Sequence, residues 1–269
     1  MKEGHVSTPP HVRAVERAVR VLEQFSLERP EQSLTEIASS IGLSKSTTYR
    51  LLVTLEATKM VEFDRRTNLY RLGLKAFRMG NVVSKSMELV RQVDPMLKAI
   101  AVKADVTSFL LVPDGMKALC LRRFDGSHHV RVLSLEPGKR AAYNCGAAQR
   151  MLLAHLPDDQ WELVVNHHLR RITQYSLFTR EELERDRKEI REQGYSVSWE
   201  DAALHISSLG APVRDVSGSV LAAVSISSIV QRFSAERLPV LIRRITELGR
   251  ELSTRMGYSP DSHGIGNAN

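Results

Sequence analysis

The chain has 269 residues, 42% of them hydrophobic and 26% charged, which excludes a disordered or fibrous chain and allows two ordinary domains. Its formal charge is +7, suited to a polyanionic partner. The longest apolar run, Val220–Val230, is broken by serines and falls short of the ~20 residues that cross a bilayer.

The first ten residues are polar and end in prolines, which predicts a disordered tail without a signal segment and a cytoplasmic protein. Val15, Ala18, Val19, Leu22 and Phe25 recur at i, i+3, i+4 spacing and predict a first helix with these residues inward. Ser33 and Glu36 form a capping-box pattern that opens a second helix, and Gly42 supplies the left-handed stop. Ser44 then caps a third helix to about Thr58. In it Thr48, Leu51, Leu52 and Leu55 face inward, while Lys45, Ser46, Tyr49, Arg50 and Val53 face out, with Thr47 at the border.

Two short strands, Met60–Phe63 and Leu69–Leu72, flank the basic turn Asp64-Arg65-Arg66-Thr67-Asn68, the wing of a winged helix-turn-helix. Between Ser44 and Arg78, eight cations (Lys45, Arg50, Lys59, Arg65, Arg66, Arg71, Lys75, Arg78) face three acids, Glu56, Glu62 and Asp64. Most of the chain's charge excess therefore sits beside the third helix. Residues near the start of a recognition helix need short donors and a cation, which Ser44, Lys45, Ser46, Thr47, Tyr49 and Arg50 supply. Ser33 and Thr35 stand at the amide-rich start of the second helix, and Arg65 and Arg66 reach for the backbone or minor groove.

Gly73–Met87 reads as a linker helix with a partial apolar stripe of Leu74, Phe77, Val82 and Val83, and Val90–Lys103 as the next helix. Strands follow: two runs around a turn at Pro113-Asp114-Gly115, then Val130–Leu135. Gly146–Leu156 is helical. Residues 179–193 form a charged helix with a Thr179–Glu182 capping box and i, i+4 pairs Glu181–Arg185 and Glu184–Lys188. A hairpin turns at Ser217-Gly218, and Leu238, Leu241, Ile245, Leu248 and Leu252 mark a packed C-terminal helix before a disordered tail. The predicted class is α+β: an N-terminal winged helix-turn-helix, a linker helix and a C-terminal domain with an antiparallel sheet.

No GxSxG, P-loop, GxGxxG or HExxH is present, so no catalytic residue, cofactor or metal is expected. The neighbouring pairs His128-His129 and His167-His168 lack the spacing that sets two imidazoles on one side. Cys120 and Cys145 predict free thiols, Cys145 a small buried one rather than a nucleophile.

With these elements placed, the segments "RAVERAVRVLEQF", "SLTEIASSIGLSKSTTYRLLVTLEATKMVEFDRRTNLYRLG", "GKRAAYNCGAAQRMLLAHLP" and "REQGYSVSWEDAALHISSLGAPVRDVSGSVLAAVSISS" resemble the IclR family of bacterial transcriptional regulators. The resemblance implies a winged helix-turn-helix DNA-binding domain over 11–72, a linker helix over 73–88 and a GAF-like effector-binding domain over 89–258, in homodimers or homotetramers. It implies an operator affinity modulated by a small carboxylate or aromatic metabolite, as repressor or activator. The alternative is an architectural DNA-binding protein whose C-terminal domain only oligomerises. The implied effector pocket contains His129, Val132, Arg140, Gly146, Ala147, Ser198, Ile206, Ser208, Ser225 and Ser227. The family often has Gly and Cys where this chain has His205 and Ser208, and a Gly-Lys pair where it has Gln149-Arg150.

Overall fold

The computed structural model describes residues 12–126 and 135–259, with backbone alone at 84–86. The chain divides into two compact units, one ending at Ser86 and the next beginning at Met87.

In the first unit the elements are α1 (Arg13–Leu22), β1 (Glu31–Gln32), α2 (Leu34–Ile41), α3 (Lys45–Ala57), β2 (Val61–Asp64), β3 (Leu69–Leu72) and α4 (Leu74–Ser86). The capping box forms: Ser33 Oγ accepts from Glu36 N at 3.3 Å while Glu36 Oε2 accepts from Ser33 N at 2.8 Å. Gly42 ends α2 at φ +67°, the left-handed conformation that a side chain disfavours. Ser44 Oγ accepts from Thr47 N at 3.2 Å and starts α3. Val21, Phe25, Ile37, Ile41, Leu52, Leu55, Val61 and Tyr70 make the core.

The buried arc of α1 differs from the expected stripe. Val21 is wholly buried with Ala18, Leu22 and Phe25 against the core, whereas Val15 and Val19 are 61% and 47% exposed. Valines occur on more than one side of this helix, so spacing alone does not choose the side that meets α2 and α3. On α4 the stripe residues Leu74, Phe77, Val82 and Val83 are likewise exposed. β1, too short to read from sequence, pairs antiparallel with β3 and adds a third strand to the wing sheet.

The second unit comprises α5 (Glu88–Ala104), β4 (Thr107–Asp114), β5 (Lys117–Phe124), β6 (Arg140–Ala141), α6 (Ala147–His155), α7 (Asp158–His167), α8 (Arg180–Gln193), β7 (Ser196–Trp199), β8 (Ile206–Arg214), β9 (Val220–Ile229) and α9 (Leu238–Arg255). The strands form one antiparallel sheet in the order β6-β5-β4-β9-β8-β7. Alternation assigns its faces. Leu110, Leu209, Ala211, Val213, Ala222, Val224 and Ile226 pack with α5 and α9. Phe109, Leu111 and Ala223 pack with α6, which is backed by Trp161 of α7 and Leu183 of α8.

The β4–β5 turn is displaced from the expected place. Pro113 and Asp114 belong to β4, and Gly115, at φ +57°, makes the tight turn with Met116. β9 accompanies β4 only as far as Leu111, so the proline lies where a missing N–H is tolerated. In α8 the i, i+4 ion pairs that form are Arg180–Glu184 and Lys188–Glu192 rather than the two expected. The Thr179–Glu182 box and the Asp215–Ser219 turn, with Gly218 at φ +83°, form as read. α7 and β7 were not anticipated. The expected strand at Val130–Leu135 and both tails lie, but for Leu135 and Ser259, outside the described residues.

His155, at the end of α6, is held neutral. Its Nδ1 sits 3.0 Å from the Met151 carbonyl, and Arg214 Nη2 points at its Nε2 from 3.2 Å. Burial first, and then the cations Arg214, Arg191 and Arg187, push its pKa down to about 4. The unfolded imidazole titrates near ~6.5, so between these values the unfolded chain binds a proton that the native one refuses. Stability should therefore fall as pH drops from about 6.5 towards 4. Urea midpoints across that window check it, and His155→Gln should flatten the dependence relative to the parent chain.

Candidate nucleic-acid interface and effector face

α3 is pinned from below. Thr48, Leu52 and Leu55 are buried, and Thr48 Oγ1 donates to the Ser44 carbonyl at 3.1 Å. Its outer side presents Lys45, Ser46, Tyr49, Arg50 and Val53, all exposed, with Thr47 half-buried at the border. Among the described residues neither Lys45 nor Arg50 has an ion-pair partner. A concavity of about 520 Å³ beside them joins Arg17 of α1 to Thr47, Tyr49 and Arg50. Arg17 was not singled out from sequence because its helix carries cations all along its length.

At the hairpin tip, Arg66 N donates to Asp64 Oδ1 at 2.8 Å and Asn68 takes φ +58°, leaving the Arg65 and Arg66 side chains exposed. Arg71 is employed differently: it bonds Glu62 at 3.1 Å and lies 3.7 Å from Glu31. At the start of α2 the Ser33 hydroxyl and amide are both engaged by Glu36, while Thr35 is exposed. A carboxylate therefore already occupies part of that helix start.

In the second unit, strand register collects hydroxyls. Ser198 pairs with Ser208, Ser208 with Ser227 and Ser227 with Thr107, which makes one row on one face across four strands. The next row on that face runs Ser196, Gly210, Ser225, Phe109. α6 begins directly above them. Gly210 permits this approach, since a Cβ there would lie 2.9 Å from the Ala147 carbonyl carbon. Ala147 N donates to Ser208 Oγ at 3.1 Å, and Ser196 Oγ donates to Ala147 O at 2.7 Å.

The first amides of α6 thus have internal acceptors. Gly146 N donates to Asp201 Oδ1 at 2.9 Å, and Ser198 Oγ bonds the same oxygen. Asp201 Oδ2 accepts from Arg150 Nη1 at 2.9 Å, and Arg150 also clasps Asp186 with Nε and Nη2. Asp201 is 1% exposed. In sequence it is one acid among many, and only the return of the chain after β7 brings it to Gly146.

Gly146, Ala147, Ser198, Ser208, Ser225 and Ser227 therefore gather on one face, with Ile206 at the beginning of β8. Ser225 and Ser227 are buried, yet among the described residues their hydroxyls make no side-chain hydrogen bond. Arg140 does not join them. It sits on the edge strand β6, five strand spacings of ~4.8 Å from β7, and is bound to Asp114 at 2.8 Å. A buried cation of the hydroxyl face is instead Arg123, whose guanidinium lies 5.9 Å from the Phe109 ring centre and bonds Asp125 and Glu136. His129 and Val132, like His128, lie outside the described residues.

Both cysteines are buried. Burial pushes the Cys145 thiol up to about 11 and the Cys120 thiol up to about 12, which keeps both protonated. Among the described residues no group of three His, Cys, Asp or Glu side chains is placed to hold a metal. No helix among them is long and apolar enough to cross a membrane.

Comparison with known proteins places this geometry. Residues 81–254 match the family model of the bacterial transcriptional regulator IclR C-terminal region, and residues 14–65 match the IclR helix-turn-helix domain. The HTH-type transcriptional regulator BhcR of Paracoccus denitrificans (strain Pd 1222) is 30% identical over 252 residues, covering 93% of this chain and 90% of that one. An IclR transcriptional regulator structure from Silicibacter sp. TM1040 superposes with a TM-score of 0.84 at 20% identity, over 91% of this chain and 97% of the other. A structure of an IclR homolog from Microbacterium hydrocarbonoxydans complexed with 4-hydroxybenzoate gives a TM-score of 0.77 at 23% identity, over 91% and 100%.

The weight placed on Asp201 is measurable. Asp201→Ala leaves Arg150 buried with one of its two carboxylate partners and the Gly146 amide without an acceptor. Breaking a buried pair in this way costs about 3–5 kcal/mol. Chemical denaturation of the variant should show a loss of that size, and a loss below ~1 kcal/mol would reduce the carboxylate to a bystander.

Proposed function

The chain belongs to the IclR family of transcriptional regulators, and we propose on that premise that it is an operator-binding homo-oligomer whose DNA affinity is set by a small metabolite. The observation that carries the DNA half is the outer face of α3: unpaired Lys45 and Arg50 among short hydroxyls, on a helix anchored by leucines. In this reading α3 enters the major groove, where Arg50, Tyr49, Ser46 and Thr47 meet base edges and Lys45 and Ser44 the flanking phosphates. Arg65 and Arg66 lie along the adjacent backbone or minor groove. Thr35, at the start of α2 beside Ser33, takes a further phosphate. Residues 11–72 are then the DNA-binding domain, 73–88 the linker and 89–258 a GAF-like effector domain. The exposed valines of α1 and the apolar residues of α4 support burial against a second copy in a dimer or tetramer. A protein that binds operators works in the cytoplasm.

For the effector, the supporting observation is that Ser225 and Ser227, two buried residues beside Ser208 and the start of α6, make no side-chain hydrogen bond among the described residues. Asp201 and Ser208 already serve the amides of Gly146 and Ala147, so a ligand carboxylate or phenol is received chiefly by serine donors. The relative's 4-hydroxybenzoate has both groups on one aromatic ring, and a compact aromatic acid suits this site. By linkage, an effector that weakens operator binding must itself bind the DNA complex less tightly by the same factor.

Operator DNA selected from a random pool by the protein provides the substrate for the test. Arg50→Ala should weaken binding by ~1–3 kcal/mol with unchanged circular dichroism. An unaltered mobility shift would remove Arg50 from the reading face. Replacing Arg65 and Arg66 by alanine should lower the slope of log K against log salt by about two, since each lost phosphate contact releases about one counterion fewer. A thermal-shift screen of small organic acids should reveal a stabilising ligand whose effect shrinks in Ser225→Ala and Ser227→Ala. A ligand that stabilises parent and serine variants alike would place the effector elsewhere.

A further inference from the structure

A second concavity, of about 490 Å³, opens where α8, β7 and the first turns of α9 meet. None of the serines of the hydroxyl face lines it. Its walls include three aromatic side chains, Tyr175, Tyr195 and Trp199, the first and last of them 50% and 42% exposed. Three carboxylates, Asp186, Glu189 and Asp201, reach it, against the single cation Arg150. The guanidinium is consumed by its bonds to Asp186 and Asp201, and Glu189 has no ion-pair partner among the described residues. The lining therefore carries an excess of negative charge in a chain whose formal net charge is +7, so the sign is local and not background.

Aromatic faces and carboxylates recognise the same kind of guest. The ring quadrupole attracts a cation, most strongly over an indole, and a carboxylate adds a Coulomb term that a neutral guest cannot collect. An anion would meet repulsion from Glu189, and an uncharged apolar guest would strip water from it without compensation. We propose that this concavity is a binding site for a small organic cation with an alkylammonium head, separate from the effector face. Trp199 and the tyrosines would face the ammonium, and Glu189 would supply the counter-charge.

The chain contains its own reporter. Of its two tryptophans, Trp161 is 3% exposed and covered by Arg180 and Arg187, whereas Trp199 lines the concavity. Titrating the full chain with choline or cadaverine should change tryptophan emission saturably. 3,3-Dimethyl-1-butanol, the neutral isostere of choline, should not. Glu189→Gln, an exposed substitution, should raise the half-saturation concentration about threefold to tenfold. Trp199→Phe should abolish the optical response while choline still raises the melting temperature. The proposal is overturned if neither cation gives a saturable change, if the neutral isostere responds equally, or if the signal persists in Trp199→Phe. None of these readouts involves DNA, so their failure would leave the operator reading untouched.

Discussion

The second unit is organised by one buried carboxylate. Asp201 takes the amide of Gly146, the hydroxyl of Ser198 and the guanidinium of Arg150, and Arg150 in turn holds Asp186 of α8 and the Val197 carbonyl. Burial disfavours the charged form of Arg150. Its carboxylate partners Asp186 and Asp201 more than offset that and hold its pKa above the ordinary arginine value. The arrangement fixes α6 against β7 and α8 at once, because moving any of them breaks a charge-assisted bond in a dry interior. The close seating of Ala147 over Gly210, and with it the position of the hydroxyl rows, depends on that clamp.

Arginine serves opposite ends in the two units. In the second unit guanidiniums are tied into the fold: Arg122 to Asp94, Arg123 to Asp125 and Glu136, Arg180 to Glu162, Arg187 to Asp158 and Arg232 to Asp105. Around α3 and the wing, Arg50, Arg65 and Arg66 have no ion-pair partner among the described residues, whereas Arg71 is spent on the sheet. A cation that is already paired has little to offer a phosphate. An exposed, unpaired guanidinium keeps its counterions and is the kind that a polyanion could claim. The same side chain thus acts as internal cement where an acid is near and stays in solvent where none is.

A similar economy governs the helix starts. Ser33 and Glu36 close the beginning of α2, Ser44 that of α3, and Asp201 with Ser208 that of α6. Each satisfies some of the amides that would otherwise invite an anion. Where the chain supplies its own acceptor, an incoming ligand must be met by side chains. On the hydroxyl face of the sheet, Ser225 and Ser227 are buried residues that make no side-chain hydrogen bond among the described residues.

Much of this was legible in the residues. The caps at Ser33, Ser44 and Thr179, the turn at Gly42, the inward leucines of α3 and the C-terminal helix follow from local stereochemistry and 3.6-residue spacing, which neighbours in sequence determine among themselves. The N-terminal winged helix-turn-helix and the antiparallel α+β class follow from the order of those elements. Tertiary structure alone decided the rest. It chose which side of α1 is buried, moved the β4–β5 turn past Pro113, and paired Ser198 with Ser208 and Ser227 across three strands. It also brought Asp201 beneath Gly146 and set Arg140 at the far edge of the sheet from Ser198. The reason is range: a helix cap is settled within four residues, whereas strand register and buried charge pairing join segments 50 or more residues apart, such as Gly146 with Asp201, and no local pattern records which distant partner will be met.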